Sequence, residues 1–125
     1  MTTMDPAATT RAIYYNHADL REIHGGSPQW SLLGPAGGGI QAVLFTDPDL
    51  NPQAPHIYVV KNADARVYAR ALRMAQEQQG EWVQVYMKRA PACYEDMGMF
   101  IIGNYTIIDN TLFIPLLRPR ASGTV

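Results

Sequence analysis

Only the segment Asn62–Gln79 has helix-forming composition sustained over several turns. Asn62 is suited to cap it, Asp64 adds a carboxylate to the first turn, and Gly80 stops it. At about 100° per residue, Ala65, Tyr68, Leu72 and Ala75 share one face, which Ala71 and Met74 widen. Arg66, Arg70 and Arg73 gather on the opposite side. Such a helix buries its apolar face on a sheet, and the flanking sequence supplies strands.

Ala12–Tyr15, Ile40–Phe45 and Ile57–Val60 are short runs rich in β-branched or aromatic residues. Trp82–Lys88 alternates Trp82, Gln84 and Tyr86 with Val83, Val85 and Met87, the mark of a strand with two unlike faces, both partly covered. Met97–Ile108 and Thr111–Leu117 read as strands joined by a tight Asp109-Asn110 turn. Gly103 inside the first of them marks a bulge or a close backbone approach. Asn16 caps a turn or short helix over His17–His24, which ends at Gly25-Gly26. Gly26–Gly39, rich in glycine and proline and carrying Trp30, reads as a long surface loop, and Arg89–Asp96 with Pro91 as a second loop. Without the regular alternation of a doubly wound sheet, this order predicts an α+β fold. Its sheet is curved or barrel-like, mostly antiparallel and of about six strands, with one long helix over 62–79 packed on it.

A chain of 125 residues makes one domain, expected over 11–117, after a lead-in at 1–10 and before a basic tail at 118–125. Its 47% apolar and 17% charged residues exclude a disordered tail, a collagen and a coiled coil. No apolar run reaches the roughly 18 residues of a membrane span, and Met1–Thr10 lacks the regions of a signal peptide. The expectation is a cytoplasmic protein with no membrane partner. Cys93 is the single cysteine, which excludes an intramolecular disulfide and a multi-cysteine zinc site.

Catalytic and metal chemistry finds little support. His17, His24 and His56 would have to converge with carboxylates such as Asp19, Glu22, Asp47 or Asp49, and no known ligand spacing is present. Cys93 has no local activating group, and Ser27, Ser31 and Ser122 lack the nucleophile-elbow sequence. No catalytic residue, metal or cofactor is expected. Gly37-Gly38-Gly39 lacks the lysine and the following helix of a phosphate loop, which leaves a flexible lead into the strand Ile40–Phe45 or a flap over a ligand.

Binding chemistry is better represented. The net charge of −1 is uneven: six basic and three acidic residues lie between Lys61 and Arg89, against four basic and eight acidic elsewhere. Arg66, Arg70 and Arg73 form a line able to track phosphates, or else a solvated face in which Arg73 pairs with Glu77. Lys61, Lys88 and Arg89 extend the basic region. Seven tyrosines and two tryptophans against three phenylalanines favour rings with a polar handle, and Trp30 and Tyr94, both in loops, are the stacking candidates.

The run Gly37-Gly38-Gly39-Ile40 before a strand, Ile57–Val60 before a helix, Trp82–Met87, and then Tyr94-Glu95-Asp96-Met97-Gly98-Met99-Phe100 resembles the small β-barrel domains of the SRA (YDG) and PUA-like superfamily. Gly39, Ile40, Tyr94, Gly98 and Phe100 carry the likeness. Met97 stands where an aromatic is usual, and the family's Tyr-Asp/Tyr-Thr-Gly stretch has no counterpart after Val60. The resemblance implies a curved sheet whose concavity accepts a flipped modified base, with Tyr94 at its rim. The expectation is a non-catalytic nucleic-acid-binding module using Arg66, Arg70, Arg73, Lys61, Lys88, Arg89, Tyr94 and Trp30. The alternative is a small protein-interaction factor that binds a host protein, as a phage or mobile-element regulator does.

Overall fold

The alternating segment at Trp82 becomes the longest hairpin of the fold, β5 (Trp82–Ala90) with β6 (Cys93–Ile102). Before it come β1 (Tyr14–Tyr15), α1 (His17–His24), β2 (Leu32–Leu33), β3 (Ala42–Phe45), β4 (Ile57–Lys61) and α2 (Ala65–Glu77). After it come β7 (Thr106–Ile108) and β8 (Thr111–Leu117). The computed structural model describes residues 13–26, 31–35, 37–46, 51–63 and 65–118. The lead-in at 1–10, Trp30, Asp64 and residues 119–125 of the expected tail lie outside the described residues.

The class is α+β, with a curled, half-barrel sheet in the order β2-β3-β5-β6-β8-β4. β1 pairs with the first part of β6 and β7 with β8. One expectation needs correction. The sheet is mixed, because β3 and β5 run parallel, with Val43 opposite Val85: the chain leaves β3, forms β4 on the far edge and returns through α2 before β5 begins. Among the described residues there are two helices, one on each face: the long α2 and the short α1 at the expected His17–His24. α1 is closed at its start by a capping box, Asn16 Oδ1 accepting from Asp19 N–H at 2.8 Å and Asp19 Oδ2 accepting from Asn16 N–H at 3.2 Å.

Alternation along the strands builds two apolar clusters. Val43, Phe45, Val83, Val85, Phe100 and Ile102 point to the concave face and pack with Ala71, Met74 and Ala75 of α2. Ala42, Leu44, Tyr86 and Tyr94 point to the convex face, where Leu20 of α1 seals them. The buried side of α2 is turned from its expected position toward Val67, Ala71, Met74 and Ala75, while Ala65 is exposed. That rotation moves Arg70 from the solvent side to the flank of the packed face.

α2 contacts β2, β4 and β8, filling the gap that the sheet leaves between its two edge strands. Phe45 and Tyr58 meet edge to face with centroids 5.4 Å apart, and Ser31 Oγ lies 3.2 Å from Tyr58 Oη. Asn51, buried beside β4, accepts from Val59 N–H at 2.7 Å and covers part of the β4 edge.

Three local features redirect the chain. The loop expected over Arg89–Asp96 is mostly strand, since Pro91 and Ala92 form the hairpin turn with Ala92 at φ 57°. Between Val85 and Tyr86 the register shifts, and Gly98 takes φ 92°, a conformation an L side chain rarely adopts. The Asp109-Asn110 turn forms as expected, both residues having positive φ of 49° and 60°. Gly103 makes the close approach anticipated for it, donating its N–H to Pro115 O at 2.8 Å. Among the described residues no helix is long and apolar enough to cross a membrane.

Candidate nucleic-acid interface

Where α2 ends, its last turn lies against the glycine loop. Gln78 holds the two together: its Oε1 accepts from Ile40 N–H and its Nε2 donates to Ile40 O, both at 2.8 Å. The amide thereby satisfies a backbone donor and acceptor that no strand pairs. Gly34 lets the loop fold back on itself, since a Cβ there would overlap the carbonyl oxygen of Gly39. The result is a cleft of about 380 Å³ between Gly37–Gly39 and the side of α2 that carries Arg70, Arg73 and Glu77.

The arginine row divides by role. Arg66 and Arg73 are exposed, and Arg73 Nε pairs with Glu77 at 3.2 Å in solvent. Arg70 is half-buried and donates from Nη2 to Leu32 O at 2.6 Å, tying α2 to the β2 edge. Burial, and then the charge of Arg73, pull the Arg70 pKa below its ordinary value. Its expected place on a freely solvated face is corrected by this contact, because the rotated helix brings the long side chain to an unpaired strand carbonyl.

Other expected positions are scattered. Lys61 is exposed at the opposite end of α2, beside the Asp109-Asn110 turn. Lys88 and Arg89 are exposed near the hairpin turn, about 20 Å along β5 from Trp82. Arg89 Nε is held by Glu95 at 2.6 Å. Arg118, expected in the tail, lies 5.1 Å over the Phe100 ring and bonds Met97 O. Tyr94 is only 6% exposed, so it is no stacking rim. β6 begins at Cys93, earlier than the expected strand, and the alternation turns Tyr94 under α1, where burial raises its pKa.

The histidines take separate places. His17 lies 6.0 Å from the Tyr94 ring and His56 6.3 Å from the Phe100 ring. His24 Nε2 is 2.8 Å from Tyr86 Oη and its Nδ1 is 3.4 Å from Gln41 Oε1. Burial first, and then the charge of Asp96, push the Tyr86 pKa up. Among the described residues no group of three or more His, Cys, Asp or Glu is placed to hold a metal ion.

No family model, curated protein or solved structure matched this chain. Sequence reasoning overlooked the exposed half of the convex face. There Trp82 is 51% exposed, Met99 43% and Leu117 52%, with Ile101 between Trp82 and Leu117 in the cross-strand row. Gln84, a polar residue between Trp82 and Tyr86, was the available signal that this face is not wholly buried.

Proposed function

We propose that this chain is a non-catalytic nucleic-acid-binding module of SRA- or PUA-like architecture, acting in the cytoplasm. The observation that carries the reading is the cleft in which the glycine loop meets Arg70 and Arg73, with Arg66 about one turn beyond Arg70 on the same helix. Guanidinium groups in a row suit phosphate oxygens, and a side-chain-free loop lets a sugar-phosphate backbone come close. The concave face beneath α2 is filled by Phe45, Phe100, Ile114 and Leu116, so the binding surface in this reading is the outer wall.

The test is Arg66→Ala/Arg73→Ala, with Arg70 left to hold Leu32. Affinity for labelled DNA and RNA should fall by a similar factor for every sequence, and the slope of log affinity against log salt should flatten by about 0.7–0.9 per lost phosphate contact. Melting should stay as in wild type. Unchanged affinity in the double variant would sink the reading.

A second reading has its own observation. The row of exposed Trp82, half-buried Ile101 and exposed Leu117 is apolar, as a protein-binding patch is. It favours a protein partner, and a sedimentation shift on mixing, lost in Leu117→Lys, is its measurement.

A further inference from the structure

A second hollow, of about 390 Å³, lies on the convex side of Gln78 and Glu81. Trp82 and Met99 are its exposed apolar elements, and His24, Gln41 and Gln84 supply polar groups. It shares Gly39, Ile40, Gln78 and Glu81 with the arginine cleft, so the two hollows adjoin along one wall of the molecule. We propose that this groove is a base-stacking platform for single-stranded nucleic acid, deepening the function above by naming where an unpaired base sits. The proposal rests on that reading for its phosphate contacts.

Two features favour a base. Trp82 is half-exposed on a strand anchored between buried Val83 and β6, which gives a flat ring on a rigid element. The polar groups around it are fixed in advance: Gln84 Nε2 donates to Asp96 Oδ1, which also accepts from Gly98 N–H at 2.8 Å, and His24 is held between Tyr86 and Gln41. Neutral amides beside an aromatic ring suit the mixed donors and acceptors of a base edge. Arg70 and Arg73 line the adjoining cleft together with Glu77 and Glu81, and Glu81 also borders the Trp82 groove.

Glu81 then sets a preference. A carboxylate accepts from exocyclic amino groups, so cytosine is favoured and thymine, which presents carbonyl oxygens and a single ring N–H, is not. A duplex keeps its bases stacked on one another and should gain nothing from Trp82.

The experiment measures labelled oligo(dC) and oligo(dT) of about twelve nucleotides, and a duplex of the same length, by fluorescence anisotropy. Wild type should bind oligo(dC) more tightly than oligo(dT). Trp82→Ala should weaken single-strand binding about tenfold or more, leave duplex affinity unchanged, and be largely rescued in Trp82→Phe. Glu81→Gln should erase the preference for oligo(dC); it is remote from the core and carries the test if Trp82→Ala fails to fold. If Trp82→Ala binds single strands like wild type while Arg66→Ala/Arg73→Ala has lost them, the platform is wrong and the nucleic-acid reading stands. If neither strand nor duplex binds wild type in low salt, both fall. A Trp82→Ala protein that changes sedimentation but not oligonucleotide affinity overturns the platform in favour of self-association.

Discussion

The two ends of the β5–β6 hairpin present the same kind of sequence and meet different fates. Toward the Pro91-Ala92 turn, Tyr86 and Tyr94 are covered by Leu20 of α1 and are nearly inaccessible. Toward the other end, Trp82, Met99 and Ile101 stand on the same face with no helix over them. Aromatic and polar residues alternate along both halves. The difference teaches that the convex face is divided by the length of α1, eight residues between a capping box and Gly25, rather than by a change in strand composition.

The sharpest way to break that comparison is to delete the contact that makes it. Leu20 is fully buried and Leu117 is 52% exposed. Leu20→Ala should cost about 2–5 kcal/mol in urea unfolding, whereas Leu117→Ala should stay within about 0.5 kcal/mol. Equal costs would show that the uncovered half is as tightly packed as the covered one.

Alkaline titration probes the covered half by another route. Tyr86 and Tyr94 have folded-state pKa values raised above the ordinary tyrosine value of 10.0, with burial as the leading cause. Their contribution is complete below that pH and is lost as pH climbs through it toward the folded values, because the unfolded chain releases the protons first. Stability should therefore fall above about pH 10, by up to about 1.4 kcal/mol per pH unit for each phenol. Tyr86→Phe should shallow that fall. A flat stability profile to pH 11 would show the phenols to be solvated.

A smaller effect is expected at the cap. Asn16→Ala removes the acceptor for Asp19 N–H and should cost about 1 kcal/mol. The loss should appear as faster amide exchange in α1 with little change in β5 or β6; exchange that rises evenly through the sheet would mean that α1 and the hairpin open as one unit.

Much of the framework was legible in the residues. β3, β4, β5, β8, both helices and the Asp109-Asn110 turn follow from β-branched runs, period-two alternation and turn chemistry. The misreadings have physical causes. Leu32 and Leu33 form a strand inside a glycine- and proline-rich loop, because a pair of leucines backed by β3 needs no propensity of its own. Ala92 takes a positive φ with no glycine to announce the turn, so the hairpin through Pro91 was read as a loop, and Tyr94 went with it to the wrong side. The arginine row was visible from spacing alone, but the bond from Arg70 to Leu32 O depends on a partner far away in sequence. Lys88 and Arg89 are near the row in sequence and far from it in space, since β5 carries them down the sheet. The groove at Trp82 escaped because exposure on a sheet face depends on where a neighbouring helix stops.

The parallel pairing of β3 with β5 joins segments far apart in the chain. Hairpins β5–β6 and β7–β8 close over short loops and can form early, within microseconds. β3 finds its neighbour only after the whole of β4 and α2 has been laid down between them. Until then β2 and β3 are unmoored, and the clasp of Gln78 on Ile40 has nothing to hold. The wall that carries the arginine cleft and the Trp82 groove thus hangs on a pairing between distant segments, the kind of contact that closes more slowly than a hairpin.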